Sequence, residues 1–268
     1  MKPIKYITII VLLLSSILSK AQDKKLQLEF GGGYGLSGLS GKIENGSVSP
    51  GMGYQFSLNG KYFFSQNVGA GIGIGYAAYS SNAELNSYSA NIASIDDENE
   101  NFEYRVTADG VKEKQALSAI EIPFFLAYKK DLSEKLGMFG NAGLKISLPL
   151  SATYECSEGT IETRGYYSAY NVELYDMPNH GFENVENINY TGDLTTQLSY
   201  SLFANAGVTI PVGKMGINIG VYGSYGLNSV LKPKATQLVV YPGEYQSVTS
   251  ISNKISLLNG GINIGFCF

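Results

Sequence analysis

Val68-Gly69-Ala70-Gly71-Ile72-Gly73-Ile74-Gly75-Tyr76 alternates without a break, with apolar residues or alanine at even positions and glycine at odd ones. A period of two belongs to a β-strand, whose successive side chains point to opposite faces. One face of this strand is a wall of aliphatic and aromatic groups, and the other carries no side chain at all. The glycines are not a phosphate loop, because their spacing is strictly two and no helix pattern follows them. They suit the crowded interior of a narrow barrel.

Working outward, the same alternation recurs. Leu26, Leu28, Phe30, Tyr34 and Leu36 oppose Gln27, Glu29, Gly31, Gly33 and Gly35. Met52, Tyr54, Phe56, Leu58 and Tyr62 oppose Gly53, Gln55, Ser57, Asn59 and Lys61. Apolar faces follow at Ile120–Tyr128, Met138–Leu148, Leu198–Ile210, Met215–Tyr225 and Leu258–Phe268. That makes eight segments, each of about 10 residues or more, the length of a tilted strand crossing a bilayer.

Short connections fall at Ser65–Asn67, Lys129–Lys135 and Pro211–Lys214, and long ones over 37–50, 81–114, 149–195 and 228–252. The expectation is an all-β, eight-stranded antiparallel transmembrane barrel of outer-membrane type, with four long extracellular loops and both termini periplasmic. A soluble barrel of lipocalin type would put its apolar face inside and a solvated face outside. Here the second face is too small and glycine-rich to be that exterior, so the apolar face is assigned to lipid. Tyr54, Tyr76, Tyr200 and Tyr225 lie near the long-loop ends, and Tyr62, Tyr128, Phe266 and Phe268 near the short-turn ends. These are the two aromatic girdles of such a wall. Pro123 cannot donate to a ladder, so a bulge or a gap is expected beside it.

Composition agrees. Charged residues are 16% of the 268, against roughly 25% in soluble domains. One histidine excludes a multi-histidine metal site, and two cysteines exclude a disulfide scaffold. Lys2 and Lys5, the apolar run Ile7–Leu14 and the small residues of Ser19-Lys20-Ala21 predict a cleaved signal peptide over 1–21, leaving 22–268 as the barrel domain. The apolar run is too short for a spanning helix of roughly 20 residues. Loss of Lys2, Lys5 and Lys20 takes the formal charge from -4 to about -7.

With the strands in place, the chain resembles the outer-membrane β-barrel family of Bacteroidota described as PorT-like. The resemblance rests on Ile120-Glu121-Ile122-Pro123-Phe124-Phe125-Leu126-Ala127-Tyr128, which looks like the family's acidic-aliphatic-proline strand, and on Lys20-Ala21-Gln22. Phe266-Cys267-Phe268 is similar to a barrel-assembly signal, although Asn263 replaces a favoured glycine. The resemblance implies an outer-membrane barrel that meets assembly machinery during insertion. One branch of the family serves protein secretion and gliding, and the family shares no single activity.

Four charges project to the inward face: Glu29, Lys61, Glu121 and Lys145. A buried charge is tolerated when paired, so these are expected to form a Glu–Lys network filling the lumen rather than a gated pore. The stretches 81–114 and 149–195 carry eight acids each, so 16 of the 23 acids sit in two loops. That balance excludes nucleic acid as a partner. The run Asp96-Asp97-Glu98-Asn99-Glu100 lacks the spacing of a calcium loop and is expected to be solvated. Tyr166, Tyr167, Tyr170 and Tyr175 are candidates for contact with a protein or glycan, or else for packing a β-extension above the membrane. His180, near Ser168, Asp176 and Glu183, is the one base available for catalysis, and Pro178-Asn179-His180-Gly181 reads as a turn. No catalytic residue, metal or cofactor is expected. The sequence points to a structural or surface-interaction protein contacting outer-membrane lipid. A secretion component or narrow pore is the alternative, and a lipid-modifying enzyme comes third.

Overall fold

Each alternating segment is a strand, and most of them run well past the stretch that reveals them. The computed structural model describes residues 25–232, 237–252 and 254–268, so the export signal expected over 1–21 lies outside the described residues. In chain order the strands are β1 (Leu26–Ile43), β2 (Gly46–Phe63), β3 (Val68–Ile95), β4 (Asn101–Ser133) and β5 (Leu136–Tyr167). Three short strands follow, β6 (Val172–Leu174), β7 (Asn184–Glu186) and β8 (Tyr190–Asp193), and then the long β9 (Ser199–Val212) and β10 (Met215–Gly226). The chain ends with β11 (Val239–Val240), β12 (Glu244–Tyr245) and β13 (Ile255–Cys267).

Strands β1, β2, β3, β4, β5, β9, β10 and β13 pair antiparallel in that order, and β13 returns to β1, which closes an eight-stranded ring. Closure matters because lipid offers no partner for an unpaired backbone edge. The outward face of the ring is apolar and open: Phe30, Phe56, Ile72, Ile74, Leu126, Leu144, Leu202, Val221, Ile262 and Ile264 are all exposed. A soluble protein rarely leaves so large a contiguous apolar belt uncovered. The start of β1, the end of β13 and the three short turns lie at one end of this belt.

Pro123 interrupts the β3–β4 ladder between the Ile72–Phe124 and Gly75–Glu121 pairs, with the register unchanged on either side. Its other side, toward β5, stays paired with Lys145. The missing N–H therefore leaves a gap and no bulge.

Beyond the belt, the pattern of β3 inverts. Through Tyr76 the even positions are apolar and outward, but past it the odd positions Ala77, Tyr79, Ala83 and Leu85 are apolar and buried while Ser80, Asn82 and Glu84 are exposed. The geometry is unchanged; the solvent outside has switched from lipid to water, so the apolar side chains move to the inner face. Strand β4 follows suit, with Phe102, Tyr104, Val106 and Val111 buried. Its inward parity slips at Gly110, whose φ of 61° forms a break opposite Gly159, at φ 121°.

Three of the four connections read as long loops are thus largely strand. The 37–50 region is the β1–β2 hairpin turning at Glu44–Asn45, and 81–114 is the β3–β4 hairpin turning at Asp96–Glu100. In 149–195 the chain climbs β5 and returns beside it, with β7, β8 and β9 holding one common register against β5. Among the described residues only those of 228–252 are mostly irregular, and Leu238 and Val248 there join the core of the head. Leu39, Leu85, Val106, Ile161, Phe182, Ile188, Leu238, Val248 and Leu257 join in one buried cluster. At about 1.5–3 kcal/mol per large side chain buried, this core holds a folded head on the barrel.

Candidate functional site

The lumen and the head are the two places where this wall can do chemistry. In the lumen, parity brings each inward charge to a partner on a neighbouring or facing strand. Lys61 Nζ lies 2.8 Å from Glu29 Oε2, and Lys145 Nζ lies 2.8 Å from Glu121 Oε1. All four are buried. Neutral donors complete each carboxylate: Asn218 Nδ2 donates to Glu29, while Tyr79 OH and Ser147 Oγ donate to Glu121. Lys145 also donates to Ser224 Oγ at 3.3 Å. Charges so matched are stable in a low-dielectric interior only as pairs.

Between the pairs the lumen is packed. Phe125 and Phe203 meet edge to face at 5.9 Å, and Phe63 and Phe139 are buried nearby. The inward glycines make room for these rings; a Cβ on Gly33 would stand 2.6 Å from Tyr222 Cε1. A polar space of about 70 Å³ remains beside Glu121, Lys145 and Tyr222.

The four candidate tyrosines divide. Tyr167 is buried, stacked 5.2 Å from Phe102, and donates to Asp96 Oδ2 at 2.9 Å. Its phenol pKa is raised, first by burial and then by that carboxylate. Tyr166 carries the Arg105 guanidinium 4.0 Å over its ring and donates to Asn171. Tyr170 is exposed and donates to Glu100 at 2.8 Å, and Tyr175 is exposed. Tyr166 and Tyr167 therefore belong to the packing of the extension, and Tyr170 and Tyr175 to its surface.

The acidic run is a solvated turn, with Asp97, Glu98 and Asn99 exposed, and it is ordered by its own hydrogen bonds. Asp96 Oδ1 accepts the backbone N–H groups of Glu98 at 3.0 Å and Glu100 at 2.9 Å, and these bonds hold its carboxyl below the ordinary aspartate range, Glu100 first. Asn99 takes the left-handed position at φ 65°. Among the described residues no three carboxylate, imidazole or thiol groups converge as metal ligands would.

His180 is exposed and ends the short 3-10 turn Pro178–His180. Among the described residues its imidazole makes no hydrogen bond with Ser168, Asp176 or Glu183, so the turn brings no nucleophile to the base. Cys156 and Cys267 are free and buried at opposite ends of the molecule. Burial pushes the Cys156 thiol up to about 11.

Sequence reasoning missed Glu113, counted among the loop acids. It is buried inside the head with no cation beside it. Gln115 Nε2, Ser247 Oγ and the Val248 backbone N–H donate to it at 2.5, 2.7 and 2.8 Å. Desolvation raises its pKa above the ordinary glutamate range, more than these bonds lower it. The signal was the alternation Val111, Glu113, Gln115, Leu117, which puts Glu113 on the same face as two core residues.

The chain is similar to the crystal structure of Neisserial surface protein A, at 9% identity and a TM-score of 0.37 over 90% of this chain and 95% of that one. It is also similar to Ail, the attachment invasion locus protein of Yersinia pestis, solved with the heparin analogue sucrose octasulfate, at 10% identity and a TM-score of 0.34 over 91% and 99%. The translocator domain of the autotransporter NalP from Neisseria meningitidis gives 10% identity and a TM-score of 0.24 over 98% and 95%. No curated protein matches the chain in sequence. The family model for the outer membrane protein beta-barrel domain matches residues 20–232, and with the lipid-facing belt this makes the chain an outer-membrane β-barrel protein that belongs to that family.

Proposed function

We propose that this barrel is a surface-interaction protein whose working part is the head, held above the outer leaflet with both termini in the periplasm. One observation carries the reading: three of the four longest connections are folded into a head with its own apolar core, while the lumen is filled by ion pairs and aromatic rings. A chain that only anchored itself would have no need of strands as long as the 33 residues of β4. The belt contacts outer-membrane lipid, and the terminal strand engages assembly machinery during insertion. The partner at the head is a protein or a glycan. Within the family, the strand Ile120–Tyr128 supports a place among the PorT-like barrels.

Surface capture on intact cells tests this. Cells displaying the protein are cross-linked and partners recovered, and Tyr170→Ala with Tyr175→Ala is expected to lower recovery at least tenfold. Equal recovery would remove the head from the function. Orientation is read with Tyr175→Cys, which a membrane-impermeant maleimide should label from outside. Steady conductance in planar bilayers would favour the pore instead.

A further inference from the structure

The head buries nearly all its large apolar side chains, and the exceptions cluster. Away from the belt and its rims, the exposed large hydrophobic residues among those described are Ile95, Tyr170, Val172, Tyr175 and Met177, all at the tip. There Tyr170, Val172 and Met177 border a recess of about 360 Å³ between the β3–β4 turn and the segment leading out of β6. Leu174, Met177 and Phe182 line one wall of it.

The opposite rim is anionic. Asp96, Asp97, Glu98 and Glu100 line the recess, and among the described residues none of them forms an ion pair with a lysine or arginine. Elsewhere on the head four acids are paired, Glu103 and Glu173 with Arg105, Glu162 with Arg164, and Glu158 with Lys112, whereas the recess gathers four unpaired ones in one place. His180 is the single basic side chain on the rim. Unbalanced carboxylates beside an apolar hollow set up a field that selects positive charge carried next to apolar surface. Strand β6 supplies a further cue, since it ends the path of the sheet and among the described residues its outer edge pairs with no other strand. Such an edge accepts an extended polypeptide through main-chain hydrogen bonds.

We propose that the tip recess binds an extended, basic-apolar polypeptide segment, with a lysine or arginine against Asp97 and Glu98 and an apolar side chain against Met177 and Phe182. The proposal rests on the surface-contact reading above and names the class of partner. Metal binding at the turn is the weaker use of these acids, because Asp96 is already committed to the turn and to Tyr167.

The test uses the full chain in phosphatidylcholine nanodiscs, whose zwitterionic surface does not itself take up cationic probes. A fluorescein-labelled hexapeptide alternating lysine and leucine is titrated by anisotropy, beside versions with glutamine for lysine and serine for leucine. The lysine–leucine peptide should bind saturably, and each replacement peptide at least tenfold more weakly. Asp97→Asn with Glu98→Gln should cost a similar factor; among the described residues neither side chain makes a hydrogen bond, so the head stays intact. Met177→Ser should weaken the leucine-bearing peptide alone. Absence of saturable binding, or equal affinity for the lysine and glutamine peptides, or unchanged affinity in the double variant, would overturn the proposal. A protein that captures a partner on cells yet ignores the probe overturns the recess and leaves the surface-contact reading standing. One that binds the probe but captures nothing on cells does the reverse.

Discussion

The Val248 backbone N–H donates to the Glu113 carboxylate at 2.8 Å, joining positions 135 residues apart in the chain. This bond fastens the one mostly irregular connection to the wall of the head. Its neighbours strengthen the fastening, with Tyr190 OH donating to Gln246 O and Tyr154 OH to Tyr245 O. Glu113 has no cation to balance it, so its charge costs free energy whenever it is ionised.

The pH dependence follows from that cost. A carboxyl whose folded pKa is raised favours the folded state most when protonated. The stabilisation is complete below the ordinary glutamate value of 4.5 and is lost as pH rises through the raised pKa. The urea midpoint of the head, followed by tyrosine fluorescence, should therefore fall between about pH 5 and pH 8 by more in the wild type than in Glu113→Gln. Glu113→Ala should lose about 1–3 kcal/mol at either pH, since it strands buried donors. Identical pH profiles for wild type and Glu113→Gln would show that this carboxyl does not set the dependence.

Lys145→Met leaves Glu121 in the lumen without its cation. The expected loss is about 3–5 kcal/mol, visible as a lower temperature for loss of the compact barrel band on unheated gels. Adding Glu121→Gln to that background should restore most of it. If the single variant is as stable as wild type, the pair does not hold the lumen.

Gly33→Val pushes a side chain toward Tyr222, whose Cε1 stands 2.6 Å from the added Cβ. Overpacking of this kind costs about 1–3 kcal/mol. Combined with Tyr222→Ala, the same valine should be tolerated. An unaffected single variant in urea titrations would mean that the lumen has room to spare.

The inversion of pattern along β3 and β4 makes a paired prediction. Ile72→Arg places a charge on the lipid face midway between the girdles and should cost about 2–4 kcal/mol in bilayer-folding assays. Glu84→Arg, outward on the head, should change stability by less than about 0.5 kcal/mol. Similar costs at both positions would move the boundary of the membrane away from Tyr76.

The legible part of this protein is the part that lipid constrains. Ile72, Ile74 and Ile264 had to be apolar and their odd-numbered neighbours glycine or asparagine, and so the alternation could be read directly. Parity alone also put Glu29, Lys61, Glu121 and Lys145 on the inward side, although only the register of the ring says which meets which. The head escaped the same reading because its outer face is polar. Asn82, Glu84 and Lys112 look like loop residues until Ala83, Leu85 and Val111 are seen as the other face of the same strands. Slips of parity at Gly110 and Gly159 broke the period further. Glu113 shares the parity of Val111 and Leu117 while Glu103 opposes that of Phe102 and Tyr104, a local difference that shows only once 81–114 is recognised as strand.

Strand β3 runs without a break from the aromatic girdle at Tyr76 to Ile95, 19 residues further on, roughly 60 Å of contour at ~3.3 Å per residue. A tether of that length would wander, and a partner would have to freeze it on docking. A stalk of cross-laddered strands is already frozen, and the conformational entropy was lost during folding. The tip is thus carried at a fixed distance from the lipid-facing belt, set by the length of β3 and β4.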